Sequence, residues 1–87
     1  MAYYSDNALN TAIEDARDEY GWDITYRQVD EQEIGSGHNL YIYEVYVDGQ
    51  YADTEAADFF KDYGFYGVYT ERTDYSYATL TIEIDSY

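Results

Sequence analysis

The sequence predicts an α+β fold: a single domain of order α-β-β-α-β-β, with an antiparallel sheet and two helices packed on one face. Three observations lead there. Two stretches, residues 9–20 and 56–63, repeat apolar residues at steps of three and four, and each is followed by glycine. Four other stretches either alternate apolar and polar residues or run rich in β-branched and aromatic residues, as strands do. The links between neighbouring strands are short, which favours antiparallel pairing, and the layer rule puts both helices on the sheet's apolar face.

The first helix is capped by Ser5 or Asp6 and runs to about Tyr20, with Gly21 as its stop. Leu9, Ala12, Ile13, Ala16 and Tyr20 form its apolar stripe. Glu14, Asp15 and Asp18 lie opposite, with Arg17 the helix's lone base. Residues 22–29 alternate as a strand, Trp22, Ile24 and Tyr26 on one side. The acidic run Asp30-Glu31-Gln32-Glu33 is either that strand's exposed end or the start of a loop, and residues 35–39 read as a flexible turn.

Residues 40–48, Leu-Tyr-Ile-Tyr-Glu-Val-Tyr-Val-Asp, are the strongest strand signal in the chain. Both faces are mostly apolar, which predicts an interior strand. Asp48-Gly49 is a tight-turn signal, with a brief pairing over residues 50–52. Asp53 or Thr54 caps a second helix that ends near Tyr63, before Gly64. Its stripe is Ala56, Phe59, Phe60 and Tyr63, while Glu55, Asp58 and Asp62 share another face. Residues 65–71 predict a third strand, 72–74 a turn and 75–85 a last strand with Ala78, Leu80, Ile82 and Ile84 inward.

Composition narrows the function. The chain of 87 residues is long enough for one modest core, and without cysteine it has no disulfide or thiol chemistry. No apolar run approaches the roughly 20 residues that span a bilayer. The opening Met-Ala-Tyr-Tyr-Ser-Asp lacks the basic and apolar parts of a signal peptide, so a soluble cytoplasmic protein is expected. Nineteen acids face four bases, a formal net charge of −15. Such charge favours disorder, but aromatics make up 21% of the chain and the apolar residues are periodic, so it folds.

Glu55, Asp58 and Asp62 stand at i, i+3 and i+7, and Glu14 and Asp18 repeat the spacing. Like charges so placed destabilise a helix by a few tenths of a kcal/mol per pair, roughly. Their spacing of about 5–6 Å along a helix suits imitation of a nucleic-acid backbone that partners grip with Lys and Arg. The expected partner-binding residues are therefore Glu14, Asp15 and Asp18, the cluster Asp30, Glu31 and Glu33, and Glu55, Asp58 and Asp62. Tyrosine, present fourteen times, adds flat amphipathic contact area.

In size, acidity and α+β layout the chain resembles the small acidic DNA-mimic inhibitors carried by phages and mobile elements, the anti-CRISPR, anti-restriction and uracil-glycosylase-inhibitor proteins. No motif matches, so no residue is carried over. The resemblance implies a non-enzymatic inhibitor of a host nucleic-acid-binding complex, with a CRISPR effector as the first choice, acting in the host cytoplasm.

Two readings from other classes stand beside it. Eleven Asp, eight Glu and a single Lys fit a domain adapted to high salt, which the tyrosines do not argue for. An acidic interaction module for a basic protein partner fits the charge equally. The second sheet face, rich in Tyr, Thr and acids, is a candidate homodimer or partner surface. Asp30, Glu31 and Glu33 lack the spacing of a calcium loop, and neither a metal site nor a cofactor is expected. His38 has no neighbouring Ser or Cys for a triad and reads as an exposed loop residue, so no catalytic residue is assigned. Direct nucleic-acid binding is disfavoured by charge.

Overall fold

Helix α1 (Ala2–Tyr20) leads into strands β1 (Asp23–Gly35) and β2 (His38–Asp48). Helix α2 (Ala52–Tyr63) follows, then β3 (Gly67–Asp74) and β4 (Tyr77–Ser86). The computed structural model describes residues 2–35 and 37–86, and side chains over 7–35 and 37–85. The four strands form one antiparallel sheet in the order β1-β2-β4-β3.

β2 and β4 are central because they have an apolar residue at every second position. Tyr41, Tyr43, Val45 and Val47 of β2 and Ala78, Leu80, Ile82 and Ile84 of β4 are all buried. They meet Leu9, Ala12, Ile13 and Ala16 of α1 and Ala52, Ala56 and Phe60 of α2, with Ile24 and Val68 closing the sides. Burying each large apolar side chain contributes about 1.5–3 kcal/mol. Leu40, Ile42, Glu44 and Tyr46 lie on the opposite, helix-free face, half-buried by their strand neighbours.

Trp22 fastens the corner between the helices and the sheet. Its Nε1–H donates to the Gln50 carbonyl at 2.7 Å, and its ring stacks on Tyr20 at 4.0 Å. Gly49, at φ 150°, lies against it: a Cβ there would come within 2.7 Å of Trp22 Cδ1. Gly21 and Gly64, at φ 72° and 119°, end the two helices as expected. The Gly64 N–H donates to the Lys61 carbonyl, one of the last that α2 leaves open.

Several element boundaries differ from the sequence reading, each for a local reason. α1 begins at Ala2, so Ser5 and Asp6 lie within the helix and do not bound it; their side chains, like Ser36 of the turn, fall outside the described residues. α2 begins at Ala52, after Tyr51 in the left-handed region at φ 72°, without a side-chain cap from Asp53 or Thr54. Ala52 therefore starts the helix and does not pair in the sheet. β1 begins after Trp22 and continues to Gly35, because β2 offers partners as far as His38. The acidic run 30–33 is thus strand, and His38 and Asn39 belong to β2.

The third strand is shifted along the chain. It starts at Gly67, and Arg72, Thr73 and Asp74 are not a turn: they pair with Thr79, Ala78 and Tyr77. Tyr75-Ser76 make the turn, with Ser76 at φ 58° and the Tyr75 N–H held by Asp74 Oδ1 at 2.9 Å.

Candidate partner-binding surface

The helix layer places six carboxylates around one groove. Asp15, Asp18 and Glu19 of α1 line one side; Glu55, Asp58 and Asp62 of α2 line the other. Phe59, Tyr63 and Tyr20 lie between them, in two adjoining clefts of about 310 and 460 Å³. Phe59 sits edge-on to Tyr20 at 5.9 Å and lies 5.8 Å from Tyr63. The Tyr63 hydroxyl donates to Asp15 Oδ2 at 2.6 Å. Asp15 thus meets the end of α2, while Tyr20, at the end of α1, meets Phe59 one turn earlier, so the two acid rows run in opposite chain directions.

Among the described residues no base is paired with these carboxylates. Arg17, in the middle of the α1 acids, turns instead to the Ile24 carbonyl, which its Nη2 reaches at 2.6 Å. Lys61 is exposed and does not line either cleft. Among the described residues Arg27–Glu44 and Arg72–Asp74 are ion pairs and His38 contacts Asp85, all on the sheet. The negative field registers on the aromatics. Burial first, then the Glu55 and Glu19 carboxylates, raise the Tyr20 phenol above its usual range. The hydrogen bond to Asp15, reinforced by burial, does the same for Tyr63.

The structure therefore brings together five of the residues expected from sequence: Asp15, Asp18, Glu55, Asp58 and Asp62. It adds Glu19, whose i+4 relation to Asp15 was the available signal. Glu14 is exposed on α1 but lines neither cleft. The cluster Asp30, Glu31 and Glu33 lies on the β1–β2 hairpin and does not form one patch. Asp30 pairs with Ile42 on the helix-free face, whereas Glu31 pairs with Tyr41 on the other. Asp30 also serves its own strand, accepting from the Glu31 N–H at 2.8 Å and from Gln32 Nε2 at 3.2 Å.

The helix-free sheet face is rich in Tyr, Thr and acids, as expected. Its centre is Glu44, which accepts from Arg27 Nη2 at 3.0 Å, from Arg27 Nε at 3.2 Å and from the Tyr46 hydroxyl. The Tyr46 hydroxyl and then Arg27 hold the Glu44 carboxyl below its usual range. His38 is half-buried, not a loose loop residue, and its Nε2 lies 2.5 Å from Asp85 Oδ1.

Among the described residues no group of three or more His, Cys, Asp or Glu side chains is placed to hold a metal ion. Nor is any helix among them long and apolar enough to cross a membrane. Compared with family models, curated proteins and solved structures, the chain matches none.

Proposed function

We propose that this chain is a non-enzymatic inhibitor that occupies the basic groove of a nucleic-acid-binding complex, its α1–α2 carboxylates standing in for phosphates. One observation carries the reading: six acids are held in two facing rows and, among the described residues, no Lys or Arg is paired to them. Solvated helix faces gain from mixed signs, roughly 0.2–0.5 kcal/mol per opposite pair. Here the mixing is absent along the two clefts. Rows with steps of about 5–6 Å suit Lys and Arg side chains spaced to grip successive phosphates. The aromatic floor adds rigid contact area.

A CRISPR effector is the first target to test. The chain, immobilised, is exposed to a bacterial lysate containing such effectors, and bound proteins are challenged with duplex DNA. The reading expects a nucleic-acid-binding complex that DNA displaces and that a chain carrying Asp15→Lys, Asp58→Lys and Asp62→Lys no longer retains. A partner that duplex DNA does not displace, or that the reversed chain retains equally, overturns it.

A further inference from the structure

A second concave site lies away from the helix groove, where the loop after α2 meets the ends of β3 and β4. Phe65, Tyr66 and Tyr69 supply aromatic faces; Glu83 and Asp85 supply carboxylates; Gly67 supplies open floor. The cleft holds about 590 Å³, within the range of small-ligand sites, about 300–1,000 Å³. Gly67 pairs directly with Glu83 across the ladder. A Cβ at Gly67 would come within 2.8 Å of Glu83 Cβ and 3.3 Å of Glu83 Oε1. Absence of a side chain at Gly67 thus lets the Glu83 carboxylate lie down into the cleft.

Glu83 is half-buried and, among the described residues, makes no hydrogen bond or ion pair. Asp85 differs, being engaged by His38 at 2.5 Å. A half-buried carboxylate without a partner, beside exposed aromatic rings, is arranged for a cation with a flat or apolar body. Tyr66 is 101% exposed, a full π face turned to solvent. Net charge of −15 draws cations and repels anions at any approach.

We infer that this cleft binds a guanidinium group, an arginine side chain presented by a protein partner. A guanidinium stacks on a ring while donating in its plane to a carboxylate; an ammonium lacks that fork. The site is a second anchoring point, and its chemistry does not depend on the reading of the α1–α2 groove.

The test is amide NMR of the isotope-labelled chain at low ionic strength, titrated with N-acetyl-arginine amide. N-acetyl-citrulline amide is the uncharged twin and N-acetyl-lysine amide the unforked one. The arginine analogue is expected to give saturable shifts at Gly64, Gly67 and Tyr69, and the citrulline analogue none. Glu83→Gln, which keeps the packing over Gly67, is expected to weaken arginine binding about tenfold, the worth of one charged hydrogen-bonded contact. Tyr66→Ala, at a position the fold does not use, is expected to weaken it about threefold through the lost cation–π contact. Equal shifts with citrulline, equal affinity for lysine, or unchanged affinity in both variants overturns the inference. If arginine perturbs only the α1–α2 groove, this inference falls while the proposed function stands.

Discussion

The Tyr63 hydroxyl and Asp15 Oδ2, 2.6 Å apart, join α2 to α1 across the floor of the acidic groove. The bond holds two rows of like charge near each other, so the groove exists in spite of its electrostatics. The aromatic contacts of Phe59 with Tyr20, Trp22 and Tyr63 do the same by packing.

Relief of that repulsion should stabilise the fold while removing the proposed activity. Asp58→Asn with Asp62→Asn deletes two charges from one row. Each removed like-charge pair is worth a few tenths of a kcal/mol, roughly. A thermal melt followed by circular dichroism should therefore show the double variant melting slightly above the parent at low salt, the gap closing in molar KCl as charges are screened. A lower melting temperature for the variant would mean that these acids serve the fold.

The parent chain itself should melt cooperatively at low salt. Its core is buried and apolar at Tyr41, Tyr43, Val45 and Val47 of β2 and at Ala78, Leu80, Ile82 and Ile84 of β4, and KCl is expected to raise the melting temperature only modestly. A chain unfolded at low salt and folded in molar KCl would instead support adaptation to high salt.

Gly49→Ala should be among the most damaging small substitutions. The new methyl meets the Trp22 ring at 2.7 Å and its Cα at 3.3 Å, at a backbone angle that L-residues avoid. Overpacking of this kind costs about 1–3 kcal/mol. For a domain of this size that lowers the melting temperature by about 10 °C, readable by circular dichroism. Trp22 fluorescence should shift in the same sample as the ring is displaced.

Alkaline pH should weaken the fold through its tyrosines. Tyr20, Tyr46 and Tyr63 all have phenols raised above the usual value, so the folded state favours their neutral forms. Their contribution is complete below the unfolded phenol's pKa and is lost as pH rises through the folded values. Melting temperatures measured from about pH 8 to about pH 11 should fall above about pH 10. The fall should be shallower in Tyr46→Phe and Tyr63→Phe. Glu44 has the opposite sign: its lowered carboxyl contributes above its unfolded pKa and is lost as pH falls. Glu44→Gln should remove that acid-side loss.

Much of the fold was legible because parity and helical period were clean where burial is complete. The inward sets of β4 and α1 follow directly from spacing, and Gly21 and Gly64 mark both helix ends, whereas β2, apolar on both faces, does not announce which one turns inward. Two local features account for misplaced boundaries and faces. Tyr51 and Ser76 adopt left-handed conformations that residue type does not announce. Register shifts near Val29 and Glu71 reverse parity within β1 and β3. Asp30 and Glu31 face opposite ways by ordinary strand alternation, and the first shift decides which of them joins the helix-free face. The groove was legible only as two separate acid faces, since the packing of α1 on α2, and with it Glu19, comes from tertiary structure.

Those two register shifts bear on how the molecule avoids its own kind. Both occur on the outer strands, β1 and β3, whose free edges would otherwise template growth of a cross-β ribbon. Each kinks an edge beside charged residues, Asp30 and Glu31 on one side, Glu71 and Arg72 on the other. A Tyr- and Thr-rich sheet is thereby denied flat edges on which to polymerise. A straight-edged sheet of this composition would lack that protection against edge-to-edge pairing.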